Sequence, residues 1–282
     1  MSLTAAKSPL PDYANPPVVE TVLGVQFDRL PGFTNSHLGA FWKTLDAAEW
    51  PGVADAPPLQ PQFERFSEAA RWGRGLQFQL SPITPGRVQI RNRTGDRMLQ
   101  VQNGRLHFNW LGNVSTSYPR YETVRAGFVE ALERFAAFVS QADVGRFQPN
   151  QWEVTYINQV PQGTVWNTPN EWTFFSPLCG VPTIEGVIQG ENFTGQWHFV
   201  IPEQRGRLHI EWQHALSAMP DQPEREVIQL TLTARGPLDS KSESIQPVLD
   251  GLNLGRETIV RSFSGLMTKE ANDYWGLTNA NR

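Results

Sequence analysis

Two histidines lead the residues of this chain whose types suit chemistry. His107 lies in GRLHFNW at 104–110 and His209 in GRLHIEW at 206–212, heptapeptides that share five of seven letters. Imidazole is the usual acid, base and metal ligand of neutral pH. Carboxylates stand at matching places in the runs that open each half, Glu20 in VVETVLGVQF and Glu153 in WEVTYINQV. A cleft that drew Glu20, Glu153, His107 and His209 together would make an acid–base site. The blander expectation for Glu20 and Glu153 is a salt bridge with arginine. A third group, Arg87, Arg91 and Arg93 in RVQIRNR, carries guanidiniums that suit phosphates and base edges.

Other chemistries lack their signatures. HxH, HExxH and CxxC spacings are absent, so neither a metal nor a cofactor is expected. GxSxG, Walker A and GxGxxG are absent too, and RWGRG at 71–75 reads as a basic loop. Cys179, the one cysteine, has no neighbouring histidine in sequence and excludes an intrachain disulfide.

Positioning these groups requires strands. In GRLHFNW, alternation sends Leu106, Phe108 and Trp110 to one side and Arg105, His107 and Asn109 to the other. The same split in GRLHIEW separates Leu208, Ile210 and Trp212 from Arg207, His209 and Glu211. Gln89, Gln100 and Gln102 join the polar set on neighbouring strands. This patterning predicts an apolar underside covered by helices and a solvated exterior of Arg, His and Gln, with Arg87, Arg91, Arg93, Arg105, His107, Arg207 and His209 as the candidate binding surface.

The elements follow from periodicity and punctuation. Residues 1–17 read as an extended Pro-rich arm. Val18–Phe27 is a β-rich run, and a short helix from about Ser36 places Leu38, Phe41, Trp42 and Leu45 on one face. Residues 50–61, with four prolines, read as a loop. FERFSE, GLQFQLS, RVQIRNR, RMLQVQN and GRLHFNW follow as strands, with Asn103-Gly104 as a dipeptide favoured in type I′ turns. A helix over about 120–140 closes this half.

Residues 152–160 open the second half as a strand, followed by a short helix near Trp172. Strands are expected at GVIQGENF, GQWHFVIP, GRLHIEW and EVIQLTLTAR, then a long helix from about Ser244 and a last short one capped by Thr268. The fold class is therefore α+β, with two similar halves, 18–146 and 147–282. Each runs strand, helix, antiparallel meander and long helix, with the helices on one face of the sheet. Unequal spacing between matching segments makes any internal duplication either old or not genuine, and whether the halves share a sheet stays open.

Composition bounds the function. The chain has 282 residues, 39% hydrophobic and 11% aromatic, enough for a large core. Its net charge of −4 argues against non-specific nucleic-acid binding. Only four of its basic residues are lysines, and the rest are arginines. The amino-terminal stretch has no apolar run, and nothing approaches the roughly 18 apolar residues of a membrane span, so a cytoplasmic, membrane-free protein is expected.

The opening PDYANPPVVETVLGVQF and the closing LNLGRETIVRSFSGLMTKEANDYWG resemble a sporadically distributed family of bacterial conserved hypothetical proteins. Such proteins often begin with a Pro-Pro-hydrophobic-Glu strand and finish with a helix, a Phe, a Thr-containing cap and Trp-Gly. The resemblance implies that Pro16 and Pro17 lead into a strand and that Trp275 anchors the tail. Family members often have His where this chain has Arg256, which weakens the case for a catalytic histidine there. The resemblance brings no established activity.

The leading expectation is a non-enzymatic module whose polar sheet faces and Pro-rich arm bind a macromolecular partner, protein rather than nucleic acid, in a homo-oligomer or alone. A nucleic-acid-binding Arg/Gln face and an enzyme with a cleft between the halves are the alternatives.

Overall fold

The computed structural model describes residues 9–66, 86–112, 117–178, 192–217, 224–238 and 244–278. Along the chain the strands are β1 (Asp12–Tyr13), β2 (Val18–Phe27), β3 (Gly52–Ala56), β4 (Arg87–Arg91), β5 (Arg97–Gln102) and β6 (Arg105–Leu111). The second half adds β7 (Pro149–Pro161), β8 (Gly195–Ile201), β9 (Gly206–Ser217), β10 (Arg225–Pro237) and β11 (Leu277–Thr278). The helices are α1 (Asn35–Trp42), α2 (Tyr121–Gln141), α3 (Gln246–Leu266) and α4 (Lys269–Tyr274). The protein is mixed helix and sheet. The expected strand at 75–81, most of that at 186–193, the RWGRG loop and Cys179 lie outside the described residues.

Nine strands form one antiparallel sheet in the order β3-β4-β5-β6-β2-β7-β10-β9-β8. The halves are thus joined edge to edge, the two opening strands β2 and β7 pairing at the middle, with Leu23 opposite Val154 and Gly24 opposite Glu153. The heptapeptide echo does not occupy equivalent places. β6 lies next to its opening strand β2, whereas β10 separates β9 from β7. What the two segments share is the alternation of an inward apolar set with an outward polar one.

Leu23, Val25, Leu106, Phe108, Trp152, Val154, Leu208, Ile210 and Leu232 are all buried. Register puts Phe108 and Trp152 on one face of the sheet, through Leu23 and Val25 between them. Close approach of the helices there depends on missing side chains. A Cβ on Gly127 of α2 would lie 2.5 Å from the Phe108 ring, and one on Gly251 of α3 would lie 2.3 Å from Trp152.

Three local features differ from the sequence reading. Residues 52–56, expected as loop, pair with β4 as the sheet's edge; the prolines flank the strand, where no ladder donor is needed. FERF at 63–66 forms no strand. In the 103–104 turn only Gly104 has positive φ (103°), which fits a type II rather than a type I′ turn. The Asn103 amide is engaged elsewhere: it accepts from the Leu30 N–H at 2.9 Å and donates to the Leu30 carbonyl at 3.0 Å. The amino-terminal arm is anchored as well, β1 pairing with β11 and the buried Tyr13 hydroxyl donating to Asn272 at 2.6 Å.

Candidate functional site: a polar sheet face closed by a strap

The face opposite α2 and α3 is polar in ordered rows. Register aligns Gln89, Gln100, His107, Gly24, Glu153, Arg235 and Arg207 across seven adjacent strands. One row over stand Gln102, Arg105, Gln26 and Gln151. Glycine at the centre of the first row is what lets it close. A Cβ on Gly24 would sit 2.6 Å from His107 Cδ2, so the imidazole leans across β2 and brings Nε2 to 3.5 Å from the Glu153 carboxylate. A strand-interior glycine is costly and often marks such an approach.

Residues 57–66 cross this face at right angles to the strands. Gln102 accepts from the Leu59 N–H (2.9 Å) and donates to the Leu59 carbonyl (2.8 Å). Gln26 does the same for Gln62, donating to its carbonyl at 2.9 Å and accepting from its N–H at 3.3 Å. Gln151 accepts from the Glu64 N–H at 2.9 Å and donates to the Gln62 carbonyl. Side-chain amides thus substitute for a neighbouring strand. From Leu59 over β5 to Phe66 beside Arg207 on β9 is seven residue steps, about 23 Å at about 3.3 Å each, close to the about 24 Å of five interstrand steps. No apolar side chain of this strap is buried, and Phe63 is 52% exposed.

The strap ends in a buried carboxylate. Glu64, whose side chain is 3% exposed, pairs with Arg207, with His209 Nε2 at 2.6 Å and with Arg235 Nε at 2.6 Å. Because an ionised carboxylate only accepts, His209 donates from Nε2 to Glu64, and its Nδ1 lies 2.8 Å from His198 Nδ1. Burial alone would raise the Glu64 carboxyl, but hydrogen bonds and charge from His209 and Arg235 outweigh it and hold the group at about 2. Glu153 is likewise pushed up by burial and brought below its ordinary range by His107, Arg105 and Arg235. Burial, aided by Arg105 and Arg87 against Glu153, depresses His107 to about 4, so it is neutral at pH 7. Burial lowers His198 too.

Four of the seven predicted site residues, Arg105, His107, Arg207 and His209, therefore meet in one network. They are not solvated: Arg105 and His107 are each 5% exposed and His209 8%. The strap explains the difference, Arg105 reaching Gln26 at 2.8 Å beneath it and Arg207 lying 4.8 Å from the Phe66 ring. Arg87 sits half-buried at the margin, donating to Gln100 at 2.5 Å. The other two do not cluster with it. Arg91 ends β4 exposed, and Arg93 lies past the strand with its N–H on the Glu49 carbonyl at 2.8 Å.

Of the four groups expected to converge in a cleft, His107 meets Glu153, and His209 joins them through Arg235, which contacts both Glu64 and Glu153. Glu20 stands apart on Asn109 at 2.5 Å, its carboxyl raised by burial. Gln26, Gln151, Glu64 and Arg235 escaped the sequence reading. The signal for the glutamines was there, amides at the polar-face places of otherwise apolar strands; Glu64 had none, because a segment held by others' side chains carries no periodicity of its own.

Among the described residues no group of three or more His, Cys, Asp or Glu could hold a metal ion, and no helix is long and apolar enough to cross a membrane. What the arrangement can do is recognise an extended backbone through paired amides and one carboxylate through Arg207, His209 and Arg235. No family model and no curated protein matches the chain, so the likeness of its two ends to a family supports no assignment.

Proposed function

We propose that the chain is a binding module whose polar sheet face takes an extended, acidic segment of a protein partner, and that residues 57–66 occupy that face in the resting state. The carrying observation is the division of labour under the strap. Gln102 and Gln26 each engage the N–H and carbonyl of one residue, a contact indifferent to side chain, while Arg207, His209 and Arg235 converge on the one carboxylate of Glu64. Backbone contacts give affinity and a charged pocket gives register, the logic of strand-like peptide recognition. The strap is suited to exchange, because none of its apolar side chains is fully buried, Pro58, Leu59 and Phe66 being half-buried, and its polar bonds can be matched by another segment. Glu64 is fully engaged by Arg207, His209 and Arg235, which favours binding over catalysis at that end of the face, while His107 Nε2 and Glu153 Oε2 lie buried without a hydrogen bond.

The test uses the strap's own sequence. Glu64→Gln is expected to speed hydrogen exchange across residues 57–66 by more than about tenfold, the loss of one or more charge-assisted bonds. A synthetic peptide PPLQPQFERF should then bind the Glu64→Gln protein and, more weakly, the parent. The same peptide with Glu replaced by Gln should bind neither. Unchanged exchange, or equal binding of both peptides, would sink the reading.

A further inference from the structure

On the opposite side of the sheet, a cavity of about 200 Å3 opens where the arm, the start of α2, α3 and β7 meet. Val18, Ile259, Val260 and Phe263 give it an apolar wall, and tyrosines and Asn158 share the lining. Its depth is marked by two hydroxyls, Tyr118 and Tyr156, 3.0 Å apart. Two phenols together offer two protons and four acceptor sites, more than the single bond between them uses. Burial raises both, Tyr156 well above the phenol range, so they remain protonated at neutral pH.

The rim carries two ion pairs, Arg256–Glu122 and Arg120–Asp12, and all four residues line the cavity. Arg256 stacks over the Tyr121 ring at 4.8 Å and pairs with Glu122 at 3.2 Å. Glu122 is 70% exposed along its side chain and Arg256 only 28%, so of these two lining residues the arginine is the more enclosed. An exposed pair of this kind is weak and can be exchanged at little cost. Arg120, also lining the cavity, pairs with Asp12 at 2.9 Å and holds its backbone at φ 70°, ψ 156°, a region favourable only to glycine. Backbone strain at a cavity rim is the kind of feature that persists where surroundings impose it.

We propose that this cavity binds a small aromatic carboxylic acid, its ring among Val18, Ile259 and Phe263 and its carboxylate on Arg256 in place of Glu122. Size supports the class: an apolar cavity of about 150 Å3 accepts benzene, and the additional space accommodates a short acidic chain. Polarity supports it too, because the more enclosed charge of the Arg256–Glu122 pair is the cation, so an anion can take the place of the exposed Glu122 whereas an amine would have to displace the half-buried guanidinium. The site lies across the sheet from the strap, so its fate and that of the strap reading are separate.

Calorimetric titration of the full chain with 3-phenylpropionate tests this. One molecule should bind per chain, and 3-phenylpropionamide should bind at least about tenfold more weakly, the worth of a charge-assisted bond. Val260→Phe, which puts a ring into the cavity, should abolish binding while circular dichroism and Tm are kept. Arg256→Gln, a change at a partly exposed side chain, should weaken the acid about tenfold and leave the amide unaffected. No binding of the acid by the folded parent, equal binding of acid and amide, or full binding by folded Val260→Phe would each overturn the proposal.

Discussion

Trp152 and Glu153 are chain neighbours that end on opposite faces of one sheet, and their surroundings show how differently those faces are closed. The Trp152 indole lies in a slot made by four glycines, Gly206, Gly236, Gly251 and Gly255, at each of which a Cβ would come within 2.9 Å of the ring. Nothing there is addressed: any side chain of that shape and apolarity would serve. Glu153 faces His107, Arg105 and Arg235 beneath a strap whose own grip is amide by amide. Apolar packing sums over area, whereas polar closure depends on each partner being present, so the first face resists exchange and the second permits it.

The comparison is broken most severely on the packed face. Trp152→Ala should cost about 3–5 kcal/mol in urea unfolding, because α3 and the strands cannot collapse into the slot the ring leaves. A loss under about 1 kcal/mol would mean the helix side is as loosely closed as the other. Next comes pH. His107 titrates near 4 when folded, against 6.5 unfolded. Above pH 6.5 its contribution is complete; as pH falls from 6.5 toward 4 the unfolded chain takes up a proton the folded chain refuses, and stability drops by up to about 3 kcal/mol. Glu64, ordinarily near 4.5 and held at about 2, adds a second loss below pH 4.5. His107→Gln should flatten the first window and leave the second, and a parent whose stability is level from pH 6.5 to 4 would contradict the burial.

Smaller still are the amides. Gln26→Ala, Gln102→Ala and Gln151→Ala should each loosen the strap by about 1 kcal/mol, read as faster amide exchange at residues 59–64, with little change in the global unfolding midpoint. Loss of global stability equal to the local loss would show that strap and sheet open as one unit.

Much of the packed face was legible from sequence. Alternation assigned Leu106, Phe108, Leu208 and Ile210 to the buried side, and 3.6-residue spacing placed the long helices to within a few residues, since both patterns are local. The polar face was half legible. Its residues were named correctly as one face, Arg105, His107, Arg207 and His209 among them, yet were taken to be wet. What covers them comes from a segment about forty residues before β6 and lies flat on other residues' side chains, so no periodicity announces it. The joining of the halves through β2 and β7 escaped for a related reason: pairing between distant strands leaves no mark on either. The GRLH echo misled in one respect, for identical letters came to lie in strands of unequal rank.

One more consequence follows from β2 pairing with β7. During synthesis the first half emerges while its central strand is still an outer one, with Leu23 and Val25 lacking the neighbour that later covers them, and such bare borders invite pairing with other chains. The latch is later still. Gln26 and Gln102 can hold Gln62 and Leu59 early, but Gln151, Arg207 and Arg235 leave the ribosome long after Glu64, so the Glu64 end of the crossing segment waits for the groups that fasten it. Order of birth thus makes that end of the crossing among the last parts to settle, and the earliest point at which another polypeptide could intervene.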